Sequence, residues 1–245
     1  MKMNRTAGLS AIAAAIVTCL PIDRPAAQSP ATPDQVVAAL KQNLAESQKR
    51  LRQYEWIETT VISLKGEEKS RKQQRVYYGA DGKLIKLPVG EPQPQAASGG
   101  GGGRRGGRAK ERVVENKKNE MQEYMEKAAT LIHQYVPPSP EGIQKAKDAG
   151  NVKLLPQPDG KVRVELRNFV QPSDVLAIDV DSTAATLTAL SVATYLEKKE
   201  DAVTLAVGFG TLADATNYVA RTTLEATAKN IRVVVENSGH RPLAR

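Results

Sequence analysis

Sulfur and imidazole are scarce in this chain. Its 245 residues include one Cys, Cys19, and two His, His133 and His240. A single thiol excludes a framework of internal disulfides. So few Cys and His exclude a Cys/His zinc centre. Aromatic residues make up 4% of the chain, with one Trp and two Phe. Familiar catalytic signatures are missing too. The chain has no Gly-x-Ser-x-Gly elbow, no His-Glu-x-x-His pair and no phosphate loop ending in Gly-Lys-Ser/Thr. Only the two His have ordinary pKa values near neutrality. His133 falls in the apolar end of a predicted helix. His240 falls in the Ser238-Gly239-His240-Arg241-Pro242 tail, which is expected to be mobile. Neighbouring carboxylates occur as Glu67-Glu68 at a predicted turn and as Asp179 with Asp181 on a polar strand face. Neither pair sets two acids across a cleft. The expectation is a protein that is not an enzyme and uses no cofactor or metal.

What is present begins with an address. The composition, 40% hydrophobic and 25% charged with a net charge of +8, is that of a soluble globular protein. Lys2 and Arg5 precede an uncharged, mostly apolar run over residues 7–20, and the small Ala26 and Ala27 follow. That order predicts a secretory signal peptide over residues 1–28, cleaved near Ala27 or Gln28. The run is shorter than the roughly 20 apolar residues that span a bilayer. Thr18 is bulky for the position before a lipidated cysteine, which argues against anchoring at Cys19. The expected destination is the periplasm or the cell exterior, with residues 29–245 as a single domain.

Pro33 suits a first helical position, and Val36, Leu40, Leu44 and Leu51 share a face of an amphipathic helix over residues 33–52. Residues 54–64 are β-branched and aromatic. After a Lys65-Gly66 turn, a second strand ends in Val76-Tyr77-Tyr78. Asp81-Gly82 predicts a hairpin into a short strand over residues 83–87. Residues 89–110 hold Pro92, Pro94, the run Gly99-Gly100-Gly101-Gly102-Gly103, and interleaved Arg104, Arg105 and Arg108. Chain entropy predicts a disordered insertion there. Residues 111–135 read as a helix stopped by Pro137-Pro138. Ser139-Pro140 opens a short helix ending before Gly150. From Asn151 onward turn residues recur every ten to fifteen positions or so without a helical period. This predicts an antiparallel meander with strands over 152–155, 162–169, 174–181, 186–197, 202–212, 217–227 and 229–237.

Alternation separates the two faces of this meander. Leu176, Ile178, Val180, Leu190, Val192, Leu196, Val203, Leu205, Val207, Phe209, Ile231, Val233 and Val235 fall on one side. Asp179, Ser191, Thr204, Arg221, Thr223, Glu225, Arg232 and Glu236 fall on the other. The fold class is α+β: an antiparallel sheet curled into an incomplete β-barrel, with amphipathic helices over its apolar face. Two readings of that face remain open. It is plain core, or it is an apolar mouth with Trp56, Leu205, Val207 and Phe209 as lining.

The succession of signal peptide, amphipathic helix, Tyr54-x-Trp56 strand, Lys65-Gly66-Glu67 turn, Val76-Tyr77-Tyr78 strand, Asp81-Gly82-Lys83 hairpin, middle helices and all-strand second half resembles the LolA-like family, the periplasmic lipoprotein-sorting carriers and their relatives. The 174–181 and 191–196 strands share that texture. The resemblance implies an interior that holds a lipid or lipoprotein acyl chain. It also implies a strand Arg that latches a lid, for which Arg75 and Arg71 fit by order. The leading functional expectation is an exported, non-enzymatic carrier. The alternative is a ligand-free envelope interaction or sensor module on the same scaffold. That module would touch an envelope protein or anionic surface through Arg104, Arg105, Arg108 and Arg112 in residues 104–112. Export argues against nucleic acid as a partner.

Overall fold

In the computed structural model, the described residues are 33–90, 107–158 and 160–243. The expected signal peptide and residues 91–106 of the expected insertion lie outside them. The chain runs through α1 (Pro33–Leu51), β1 (Tyr54–Leu64), β2 (Glu67–Tyr78), β3 (Leu84–Pro88), α2 (Gly107–Ile132) and α3 (Pro140–Asp148). It continues through β4 (Val152–Pro156), β5 (Lys161–Arg167), β6 (Val175–Asp181), β7 (Thr186–Tyr195), β8 (Ala202–Thr211), β9 (Asn217–Ala226) and β10 (Ile231–Pro242).

The ten strands form one antiparallel sheet in the order β3-β2-β1-β10-β9-β8-β7-β6-β5-β4. The meander β4 to β10 returns to pair with β1, and β3 and β4 remain as edges. The sheet is therefore an incomplete barrel, in an α+β architecture with three helices among the described residues. The turns explain the register. Lys65 and Gly66 both have positive φ, 54° and 82°, as a two-residue type I′ hairpin needs, and Leu64 pairs with Glu67 across it. At the next hairpin the Asp81 carboxylate accepts the Lys83 N–H at 3.0 Å.

Cross-strand pairing confirms the division of faces. Leu205 lies opposite Leu224 and Val192, and Val233 lies opposite Leu224 and Ile62. On the other face Arg163 pairs with Asp179, Arg221 with Glu236 and Arg232 with Glu225. The two exposed pairs, Arg221–Glu236 and Arg232–Glu225, contribute about 0–1 kcal/mol each. The core forms on the inner face. Ala128 and Ile132 of α2, with Tyr135 just beyond it, pack on Leu166, Leu176, Leu190, Val192, Val203, Leu205, Val207, Ala226 and Ile231. Ser139 caps α3, its Oγ accepting the Gly142 N–H at 3.0 Å.

Three boundaries differ from expectation. Helix α2 begins at Gly107, so residues 107–110 of the predicted disordered insertion are helical. At the insertion's other end the Val89 N–H bonds to the Gln73 carbonyl, extending the β2–β3 pairing. Helix α2 stops at Ile132 instead of 135. Tyr135 is drawn out of helical register by buried hydrogen bonds of its own. Strand β10 runs to Pro242 instead of 237, because the start of β1 takes residues 238–242 as partner. His240 is thus in a strand, not in a mobile tail.

Candidate functional site

Helix α2 is held over the inner face unevenly. At its C-terminal end Tyr135 is fully buried. Its hydroxyl donates to Asp174 Oδ2 at 2.6 Å and lies 2.8 Å from Thr194 Oγ1. Asp174, also fully buried, accepts the backbone N–H groups of Phe169, Val170 and Gln171 at 2.6, 2.9 and 2.7 Å. Four donors offset the cost of burying one carboxylate. Burial, then the Asp174 bond, push the Tyr135 phenol well above its usual range, so it stays a neutral donor.

Upstream the attachments lie nearer solvent. Tyr124 donates to Asp201 at 2.5 Å, and burial followed by that bond raises its phenol as well. Lys127 meets Glu197 at 3.6 Å and Glu120 meets Lys229 at 2.7 Å, both pairs largely exposed. Among the described α2 side chains, Ala128 and Ile132 are the ones buried against the sheet. Met121, Tyr124, Met125 and Leu131 are partly buried. Methionine is unbranched and adapts its shape to irregular space.

Helix α1 sits against the opposite ends of the strands. Asn43 donates to the carbonyls of Ala184 and Ala185, Ser47 Oγ accepts the Asn217 N–H, and Arg50 donates to Thr216 Oγ1 and the Ala215 carbonyl. These contacts reach the β6–β7 and β8–β9 turns. The two helical covers therefore grip different ends of the sheet.

Leu205 and Val207 are 6% and 8% exposed, in the core beneath α2, and Phe209 packs partly buried beside them. Trp56 lies outside that cluster. Its Nε1 donates to Asn237 Oδ1 at 3.1 Å, and its ring stacks on His240 at 5.7 Å between centroids, with Tyr78 at 6.1 Å. Burial lowers the His240 pKa. His133 is exposed just past the end of α2.

The structure also identifies Ile62, Leu64 and Leu224 as inner-face positions, beside Ile178 and Val233 that alternation had already placed there. Leu64, Ile178, Leu224 and Val233 are only partly buried, and Ile62 is 39% exposed. Alternation places them on the apolar face, but only the path of α2 shows which of them it leaves uncovered. On β1 and β3 the inner face turns polar, with Lys86 Nζ 2.6 Å from Glu58. Neither candidate latch arginine points inward. Arg75 lies across from Ile57 and Arg71 across from Val61, on the outer face, where Arg71 pairs with Glu68. An odd position on β2 faces out because the even-numbered Val76, paired with Trp56, faces in.

Among the described residues no group of three or more His, Cys, Asp and Glu is placed to hold a metal ion. No described helix is long and apolar enough to cross a membrane. A groove of about 550 Å³ runs beside α2, lined by Glu123, Glu126, Lys127, Leu131, Leu196 and Glu197 among others. Its charge makes it unlike the aliphatic inner face.

No family model matches the chain, and no curated protein matches its sequence. Two solved structures align with 84% of it. One is a LolA superfamily protein from Nitrosomonas europaea, at 9% identity over 94% of that protein. The other is a DUF1329 family protein from Desulfovibrio piger, at 12% identity over 92% of it. The TM-score is 0.36 in both. One of the two bears the name of the family that the order of sequence features resembles. At this level of likeness neither alignment carries an inference about what the chain binds.

Proposed function

We propose that the protein is an exported carrier that shelters an acyl chain or similar apolar ligand on the inner face of its open sheet. The observation that supports this reading is incomplete cover. The inner face is aliphatic from β5 to β10, but full burial follows the last turns of α2, and Leu64, Leu224, Val233 and Ile62 remain partly open. Burying acyl carbons there would contribute about 0.8 kcal/mol per methylene. The uneven grip on α2 supplies a way in. Its end at Tyr135 is anchored by buried bonds, whereas the contacts of Tyr124, Lys127 and Glu120 are nearer solvent and cheaper to break. In this reading the helix pivots on its C-terminal end and Met121 and Met125 adapt to the ligand.

The carrier would act in the periplasm or outside the cell once residues 1–28 are removed. The test is native mass spectrometry of the protein purified gently from its own envelope fraction. A retained mass that extracts into organic solvent is the expected result. A clean ligand-free mass, together with no uptake of added fatty acid, would leave the inner face as plain core.

A further inference from the structure

A second feature lies on the opposite face of the sheet from Trp56 and Val76. A cavity of about 520 Å³ is lined by Glu55, Arg75, Tyr77, Arg241, Pro242 and Leu243. The register assembles it. Glu55 on β1 pairs with Tyr77 on β2 and with Arg241 on β10, and Arg75 lies two positions before Tyr77 on the same face. Glu55 is 8% exposed. Arg241 Nε lies 2.5 Å from its Oε1, and Arg75 Nη1 lies 3.8 Å from its Oε2. One buried carboxylate thus orients two guanidinium groups.

Those guanidiniums are mostly unspent. Each carries five N–H donors in a fixed fork. Among the described residues Arg241 makes one hydrogen bond, to Glu55. Arg75 sits beyond hydrogen-bond distance from that carboxylate, over the Tyr77 ring at 5.5 Å. Two cations against one anion leave the cavity positive. Its volume falls within the roughly 300–1,000 Å³ of small-molecule sites, and Tyr77, Pro242 and Leu243 add apolar wall beside the charge.

We propose that this cavity binds a phosphate group carried on a small apolar or aromatic body. The phosphate oxygens take the open forks of Arg75 and Arg241, which suit planar, two-pronged recognition of such anions. The body lies on Tyr77 and Pro242. The site is independent of the inner-face carrier, because it uses the other side of the sheet.

The test is calorimetric titration of phenyl phosphate into the full protein, beside binding to phosphatidylglycerol and phosphatidylcholine vesicles. Saturable binding of phenyl phosphate is expected, at least tenfold weaker in Arg75→Gln and Arg241→Gln and unchanged in Arg221→Gln, an outer-face arginine outside the cavity. Glu55→Gln separates a built site from diffuse attraction. A built site weakens when its orienting carboxylate is lost, whereas diffuse attraction strengthens when a negative charge is removed. Thermal unfolding of each variant checks folding. If Glu55→Gln unfolds, the two arginine variants, at exposed positions, decide the matter. Binding to phosphatidylglycerol vesicles alone, lost in both arginine variants, would assign the same phosphate chemistry to a lipid headgroup. The proposal is overturned if neither probe binds, if Arg221→Gln weakens binding equally, or if a folded Glu55→Gln binds more tightly.

Discussion

Leu176, Val192 and Val203, on β6, β7 and β8, are at most 1% exposed, whereas Ile62 on β1 and Leu84 on β3 are 39% and 43% exposed. All five are aliphatic strand residues. The difference lies in what stands over them. The last turns of α2 and the Tyr135–Asp174 bond close the first group off from water. Among the described residues nothing comparable covers β1 to β3, where the inner face turns polar with the Glu58–Lys86 pair. Burial in that wing comes instead from Val76, at 0% exposure, and from Trp56 with its Tyr78 and His240 neighbours. One sheet therefore carries two kinds of interior: a core fixed by a helix and a wing that stays partly wet.

Truncation should expose the contrast most strongly. Leu205→Ala leaves a cavity under α2 and should cost about 2–5 kcal/mol. Ile62→Ala, at a position that already meets water, should cost under about 1 kcal/mol. Urea denaturation of the two variants measures both. Equal losses would mean that the wing is as well packed as the core.

A smaller effect concerns pH. Burial lowers the His240 pKa from its ordinary 6.5. Above about 6.5 the ring is neutral in folded and unfolded chains alike and contributes no pH dependence. As pH falls through that value the unfolded chain takes up the proton first, so stability declines until the folded-state pKa is passed. His240→Phe keeps a ring against Trp56 and removes that slope. The midpoint of thermal unfolding at pH 7.5 and pH 5.5 reads the difference. An identical pH response in both proteins would show that His240 is freely solvated.

Much of this fold was legible in the residues. Alternation in residues 203–209, and more loosely in 231–235 where Val234 interrupts it, marks the inner face, because a strand side chain has only two directions to take. The turns at Lys65-Gly66 and Asp81-Gly82 set the hairpins for the same local reason. What escaped were features made by distant partners. Tyr135 fits the α2 stripe by spacing, yet it leaves the helix for Asp174, 39 residues away. His240 sits among tail-like residues, but pairing with the start of β1 makes it strand. The candidate lining was half legible for the same reason. Leu205, Val207 and Phe209 do share a face, but their burial depends on the path of α2, and Trp56 joins a separate aromatic group. The Glu55–Arg75–Arg241 cavity has no local signature, since three strands supply it.

The most direct test of an apolar carrier is uptake at the uncovered part of the inner face. Leu205 is too deeply buried for a charge there to be informative, since Leu205→Asp would unfold the core. Ile62→Asp places the charge where water already reaches. A dansyl-labelled fatty acid should bind the unaltered protein and Glu225→Ala equally, and should bind Ile62→Asp at least tenfold more weakly while thermal unfolding stays nearly unchanged. If the folded Ile62→Asp protein and Glu225→Ala take up the probe alike, or if the unaltered protein takes up none, the inner face is not a carrier site.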